Sequence, residues 1–275
     1  MSDTNGLAIR LDDGILRIVI DRPHRMNAVT TEVLNELTDT FERYALNPTV
    51  RTAILTGRGQ AFCSGADLTT VTPGATPASH RIDAANRVVS AIRTFPRPVI
   101  GVVNGPAVGV GVCLALACDL TIVAESAFFL LAFTKVGLMP DGGATALVAA
   151  SIGRARAMKL ALLAERFEAH DALSAGLIGE VCPDDELTDR VESVARRLSN
   201  GPCDALHATK LAINDATLTE LEAAFDRERD GQLMRLAGEE YIEGVAAFLE
   251  KRPAIFRRAE GTQVPESPWE PTRSK

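Results

Sequence analysis

The sequence predicts an α/β core followed by a purely helical C-terminal extension. Three observations carry that reading. Strand-like and helix-like patterns alternate early in the chain, only helical patterns remain beyond about Asn200, and 46% hydrophobic residues over 275 positions suffice for a sizeable core.

The elements follow in order. "LAIRLDDGILRIVIDRP" (residues 7–23) alternates apolar and polar positions around Asp12, Asp13 and Gly14, which predicts a hairpin of two half-buried strands. In "TTEVLNELTDTFERYALNP" the residues Leu34, Leu37, Phe41 and Tyr44 recur at helical spacing; Thr30 or Thr31 caps the start, and Asn47 with Pro48 stops it. "VRTAILTGRG" is a strand, and "QAFCSGADL" a loop. The polar stretch "TTVTPGATPAS" after it reads as mobile. A helix over residues 82–95 leads through Pro96 and Pro98 into the strand "VIGVV". Then "NGPAVGVGVCLALACDL" (residues 104–120) gives a glycine-rich turn and a short helix, "DLTIVA" a strand, and "GLMPDGGATALVAASIG" a loop feeding another helix. Residues 219–256 read as one long charged helical region, and the tail "EGTQVPESPWEPTRSK" as disordered.

Several function classes lose support. From Pro98 to Cys118 no residue is charged, but Asn104, Gly105 and Pro106 interrupt the run, so it predicts a buried strand, turn and helix rather than a membrane span. A net charge of −7 disfavours nucleic acid and anionic membranes as partners. The opening "MSDTNGLAIRLDDG" has neither a basic nor an apolar signal region, so the cytoplasm is the expected location. Five cysteines without a CxxC pair fit reduced packing residues. The third glycine of a dinucleotide loop is replaced by Leu114, and there is no GK[ST], HExxH or GxSxG. His24, His80, His170 and His207 are scattered, so no metal site is expected.

What remains is a pair of similar loops. "AFCSGADL" and "GPAVGVGVCLALACDL" each follow a strand, carry small residues, and present backbone amides with little side-chain cover. The second also opens a helix, whose first N–H groups are unpaired and whose dipole is positive there. If both face one spot, the amides of Ser64 and Val110 grip a single oxygen, as an oxyanion hole grips an enolate.

The segments "RPHRMNAVT", "GQAFCSGADL", "NGPAVGVGVCLALACDL", "KVGLMPDGGAT", "ALSAGLIGEV" and "EGVAAFLEKRPAIF" together resemble the enoyl-CoA hydratase/isomerase (crotonase) family in order and spacing. The resemblance implies a spiral of strand-strand-helix units over residues 1–200, a helical trimerisation region over 201–260, and a flexible tail over 261–275. It also implies a homotrimer or dimer of trimers and a coenzyme A thioester as substrate, with no separate cofactor. The family's two oxyanion amides fall on Ser64 and Val110, in agreement with the loop argument. By the same resemblance Arg22, Arg25, Ala28, Ala66, Asp67 and Lys251 lie along the coenzyme A, Lys251 reaching from a neighbouring subunit.

The sequence departs from the family where it matters. Hydratases of this family carry two glutamates, at positions that here hold Cys113 and Phe133. Orienting and protonating water needs such carboxylates, and neither substitute supplies one. Asp141 in "MPDGG" matches the position at which the family's double-bond isomerases carry an acid. One carboxylate suffices for that reaction, and burial beside Phe133, Leu138 and Met139 should raise its pKa. The bland alternative is that Asp141 only caps the following helix. An enoyl-CoA isomerase is therefore the first expectation. A non-catalytic acyl-CoA binding or delivery protein, a hydratase, and thioester hydrolysis or dehalogenation through Asp141 are the alternatives.

Overall fold

The computed structural model describes residues 2–4, 6–70 and 79–256. Most of the stretch expected to be mobile (residues 71–78) and the expected flexible tail lie outside the described residues.

The antiparallel ribbon β1 (Ser2–Thr4), β2 (Leu7–Asp12) and β3 (Ile15–Ile20) contains the expected hairpin, turned at Asp13 and Gly14, which both adopt positive φ. The chain then runs through α1 (Thr31–Ala45), β4 (Thr52–Gly57), α2 (His80–Thr94), β5 (Val99–Val103), β6 (Ala107–Val108), α3 (Val110–Ala117) and β7 (Leu120–Ala124). There follow β8 (Phe128–Leu130), α4 (Ala144–Leu163), β9 (Phe167–Glu168), α5 (Ala169–Ala175), β10 (Glu180–Cys182) and α6 (Leu187–Ser199). The last elements are α7 (Cys203–Thr217), α8 (Leu221–Leu236) and α9 (Glu239–Leu249).

Seven strands form one sheet in the order β1-β2-β3-β4-β5-β7-β10, parallel from β3 onward, and β6-β8-β9 form a second, smaller one. Parallel strands covered on both faces need continuous apolar runs, and "VIGVV" of β5 is buried at every position. Within that strand Gly101 lets α3 approach, because a Cβ there would lie 3.1 Å from the Cys118 side chain. All five cysteines are free and buried.

Helix α1 begins as its sequence predicts, the Thr30 side chain accepting a hydrogen bond from the Val33 amide. Its inward face closes on α2 through an edge-to-face pair of Phe41 and Phe95. Thr30→Ala is expected to cost about 1 kcal/mol, read as a lower midpoint in a urea melt.

The C-terminal helical region has internal detail. The long helical region of residues 219–256 is broken: α8 ends at Leu236 and Gly238, in extended conformation, caps α9. The break turns α9 back onto the short 3-10 turn of residues 132–136, where contact is backbone to backbone. A Cβ on Gly244 would sit 2.5 Å from Val136, and one on Gly137 would sit 2.5 Å from Glu240. The apolar "AFFLLAF" (residues 127–133) spans β8 and the start of that turn. Helices α8 and α9 thus contribute Gln232, Leu236, Tyr241 and Phe248 to the wall of the core's cavity. Helix α7 is fastened by the buried Lys210, which donates to the Ile92 carbonyl at 3.0 Å and to Asp119 at 2.9 Å. Among the described residues no helix is long and apolar enough to cross a membrane.

Candidate active site

The two glycine-containing loops lie side by side. The Cys63 amide donates to the Pro106 carbonyl at 3.1 Å and the Val108 amide returns to the Cys63 carbonyl at 2.8 Å. Side chains would hold the strands of this contact apart. A Cβ on Gly111 would meet the Cys63 carbonyl at 2.3 Å, and one on Gly65 the Val108 carbonyl at 3.0 Å. Gly109 turns the chain into α3 with φ 55° and ψ −123°, a conformation that L-residues avoid. Val110 is then the first residue of α3, where amides have no intrahelical partner, and its N–H meets no acceptor among the described residues. The Ser64 amide differs: it donates to the Met26 carbonyl at 3.1 Å. A ligand oxygen at Ser64 must therefore share or displace that acceptor.

Gly109→Ala is expected to cost about 1–2 kcal/mol through its backbone, since a Cβ there would meet Gly65 and Phe133 only at ordinary contact distances of 3.8 and 3.9 Å. Because the strain is relieved by turning the Val110 amide, turnover should fall more than acyl-CoA affinity; steady-state kinetics beside calorimetric binding checks this.

Both loops open into a cavity of about 540 Å³ whose lining includes Ser64, Val110, Phe133, Leu138, Asp141 and Gln232. Asp141 precedes two glycines with positive φ, and the first of them brings the loop against α3: a Cβ on Gly142 would lie 3.2 Å from the Cys113 sulfur and 3.7 Å from the Val110 side chain. The carboxyl of Asp141 is pushed up to about 6, chiefly by burial, with the Gln232 hydrogen bond and the Arg81 charge pulling the other way. Its Oδ2 accepts from Gln232 Nε2 at 2.9 Å.

The Asp141 side chain does not cap α4. The Ala144 amide donates to the Asp141 main-chain carbonyl at 3.3 Å, and the amides on either side of it are taken by Glu228 of α8, whose two oxygens accept from the Gly143 amide at 2.6 Å and from the Thr145 amide and hydroxyl at 2.8 and 2.6 Å. Glu228 is almost fully buried, and burial pushes its carboxyl up to about 7 despite these donors. With the cap supplied from elsewhere, the Asp141 side chain is left for the cavity.

At the two positions where hydratases of the resembled family carry glutamate, Cys113 is buried and its thiol lies 3.2 Å from the Asp141 carbonyl oxygen. Burial pushes that thiol well above its usual range. Phe133 is buried in the cavity wall.

The residues expected along coenzyme A divide. Arg22 donates to Asp67 at 2.9 Å and to the Ala28 carbonyl, so its guanidinium braces the loop. Asn27, fully buried with φ 56°, completes the brace by accepting from the Arg22 amide and donating to Arg58 and Ala61 carbonyls. Burial opposes the Asp67 charge, but hydrogen bonds from Thr69 and Arg22 hold its carboxyl below the ordinary value. Ala28 is buried, and Ala66 is exposed at the cavity. Arg25 is exposed; Lys251 is exposed beyond α9 with φ 55° and is not part of the cavity wall. Sequence reasoning missed Gln232 and Glu228. Among the described residues no group of three or more His, Cys, Asp or Glu could hold a metal ion.

Comparison with known proteins gives the family and the fold. Residues 10–259 match the family model described as enoyl-CoA hydratase/isomerase. The chain is 39% identical over 253 residues to the 1,2-epoxyphenylacetyl-CoA isomerase of Escherichia coli K12, covering 90% of this chain and 96% of that one. It is 39% identical over 249 residues to a probable enoyl-CoA hydratase of Rhodobacter capsulatus, covering 90% and 95%. The crystal structure of an enoyl-CoA hydratase from Mycobacterium avium subsp. paratuberculosis K-10 superposes with a TM-score of 0.87 at 46% identity, covering 93% of this chain and all of that one.

Proposed function

The chain belongs to the enoyl-CoA hydratase/isomerase family, and within it we propose that it shifts the double bond of a 3-enoyl-CoA to the 2 position, with Asp141 as its single acid and base. The observation behind this is the placement of the Asp141 carboxyl, raised to about 6, in the cavity that the Ser64 and Val110 loops share, while positions 113 and 133 offer no carboxylate.

The reaction needs no other proton carrier. Ionised Asp141 takes a proton from C2; the C–H electron pair enters the conjugated system and charge gathers on the thioester oxygen. Neutral amides favour that oxygen more strongly in the transition state than in the ground state. Protonated Asp141 then returns the proton to C4, leaving the double bond between C2 and C3. A carboxyl titrating near neutrality suits both halves of such a transfer.

The same reading uses no cofactor beyond the substrate's own coenzyme A, lying past Ala66 with Arg25 near its phosphates. Arg22, Ala28 and Asp67 shape the loop that carries it. Lys251 acts from a neighbouring subunit in a homotrimer or dimer of trimers, and the enzyme works in the cytoplasm. The experiment is direct: a 3-enoyl-CoA is converted to its conjugated isomer, followed by ultraviolet absorbance. Protein that binds acyl-CoA but leaves this substrate unchanged overturns the proposal. That outcome would favour a second reading, an acyl-CoA binder without turnover, which has one observation on its side: the Ser64 amide already holds the Met26 carbonyl. Robust water addition to a 2-enoyl-CoA would instead make the protein a hydratase.

A further inference from the structure

Helix α8 offers Glu228, Gln232 and Leu236 at four-residue intervals, hence on one face. Glu228 fastens the start of α4, and Leu236 lines the cavity. Between them Gln232, only 1% exposed, makes two hydrogen bonds to a single loop. Its Oε1 accepts from the Met139 amide at 3.2 Å and its Nε2 donates to Asp141 Oδ2 at 2.9 Å. The orientation of this amide is fixed by chemistry. A backbone N–H only donates, so it must face the oxygen, and the NH₂ is left for the carboxyl.

We propose that Gln232 is the positioning residue for Asp141: by occupying Oδ2 it makes Oδ1 the oxygen that takes and returns the substrate proton. This rests on the isomerase reading above. A protonated carboxyl still accepts at its unprotonated oxygen, so the bond to Nε2 survives both halves of the cycle and the carboxyl plane does not turn when the proton arrives. Movement of the transfer atom by an ångström is costly to catalysis, and a side chain tied at both ends prevents it. The donor also favours the ionised form of Asp141 against burial. Other groups face Asp141 or share its cavity: Cys113 from α3, Glu228 from α8, His80 and Arg81 from α2, Lys135 from the turn of residues 132–136, and Tyr241 from α9. Of these, Arg81 pulls its carboxyl down, and no hydrogen bond from any of them reaches that carboxyl; among the described residues only Gln232 donates to it.

The test uses the full chain carrying Gln232→Met, which keeps length and removes the donor. The expected result is a fall in kcat on 3-enoyl-CoA of about 10–100-fold with KM nearly unchanged, and an acid limb of kcat displaced upward by about one pH unit. The ¹³C carboxyl resonance of Asp141, assigned by its loss in Asp141→Asn, should titrate at correspondingly higher pH. If Asp141→Asn abolishes turnover while Gln232→Met leaves kcat, acid limb and resonance unmoved, the inference is wrong and the isomerase reading stands. If Asp141→Asn keeps its turnover, that reading falls first, and the carboxyl titration alone then decides about Gln232. Should Gln232→Met not fold, Gln232→Glu keeps the acceptor for Met139 and sets two carboxyls against each other. Its expected mark is a split titration shared by the pair, and a single unshifted one counts against the proposal.

Discussion

Asp141→Asn is expected to lower kcat for 3-enoyl-CoA isomerisation by about 10²–10⁴-fold, the range over which a positioned general acid-base group contributes, with acyl-CoA affinity close to wild type. Asparagine has nearly the shape of aspartate, and its carbonyl oxygen still accepts from Gln232 Nε2, so cavity volume and loop geometry persist. The Ser64 and Val110 amides are main-chain groups and do not change. What is lost is the ability to hold a proton. Neither residue at the family's glutamate positions replaces it: the Cys113 thiol is pushed well above its usual range by burial, and Phe133 has no proton to exchange. Wild-type activity should fall on the acid side below about pH 6, where the carboxyl becomes protonated and cannot act as base. Steady-state kinetics and calorimetry with a saturated acyl-CoA separate the two effects. Full turnover in the variant would remove Asp141 from the chemistry, and equal loss of binding would make its role structural.

The fold was legible where local chemistry is strong. The Asp13-Gly14 hairpin, the Thr30 cap and the buried run of β5 each follow from a few adjacent residues. The pairing of the glycine loops was legible too, because a Cβ at Gly65 or Gly111 would collide with the other loop, leaving a composition that no isolated turn requires. The site's second half was not. Gln232 and Glu228 sit in "DRERDGQLMRL", where charges surround the helix and no apolar stripe marks an inward face. Their hydrogen-bond partners lie some ninety residues earlier, the amides of Met139, Gly143 and Thr145 and the carboxyl of Asp141, and local periodicity carries no record of that. The local role of Arg22 was hidden for the same reason: its partner, Asp67, stands 45 positions away.

The same substitution that stops the chemistry should stabilise the fold as pH rises. The Asp141 carboxyl titrates at about 6 in the folded protein against an ordinary value of 3.8, because burial disfavours its charge. The native state therefore binds this proton more tightly than the unfolded chain does. Its contribution to stability is full below the unfolded value and is lost as pH rises through the folded one. Asparagine has no such proton. The stability of Asp141→Asn relative to wild type should then increase between about pH 4 and pH 7, by about 1–3 kcal/mol once partial exposure is discounted. Urea melts of both proteins across that interval measure the difference directly. Carboxyls held low by partners, such as Asp67, occur in both proteins and cancel; Glu228 cancels only to the extent that it does not feel Asp141, so Glu228→Gln in both backgrounds isolates the term. Parallel pH curves would mean that Asp141 titrates near its solution value, open to water, and a carboxyl so placed would be largely ionised at neutral pH and too weak a base to lift a proton from C2. A stability gain that grows with pH would identify the cost the fold carries in order to keep that base dry.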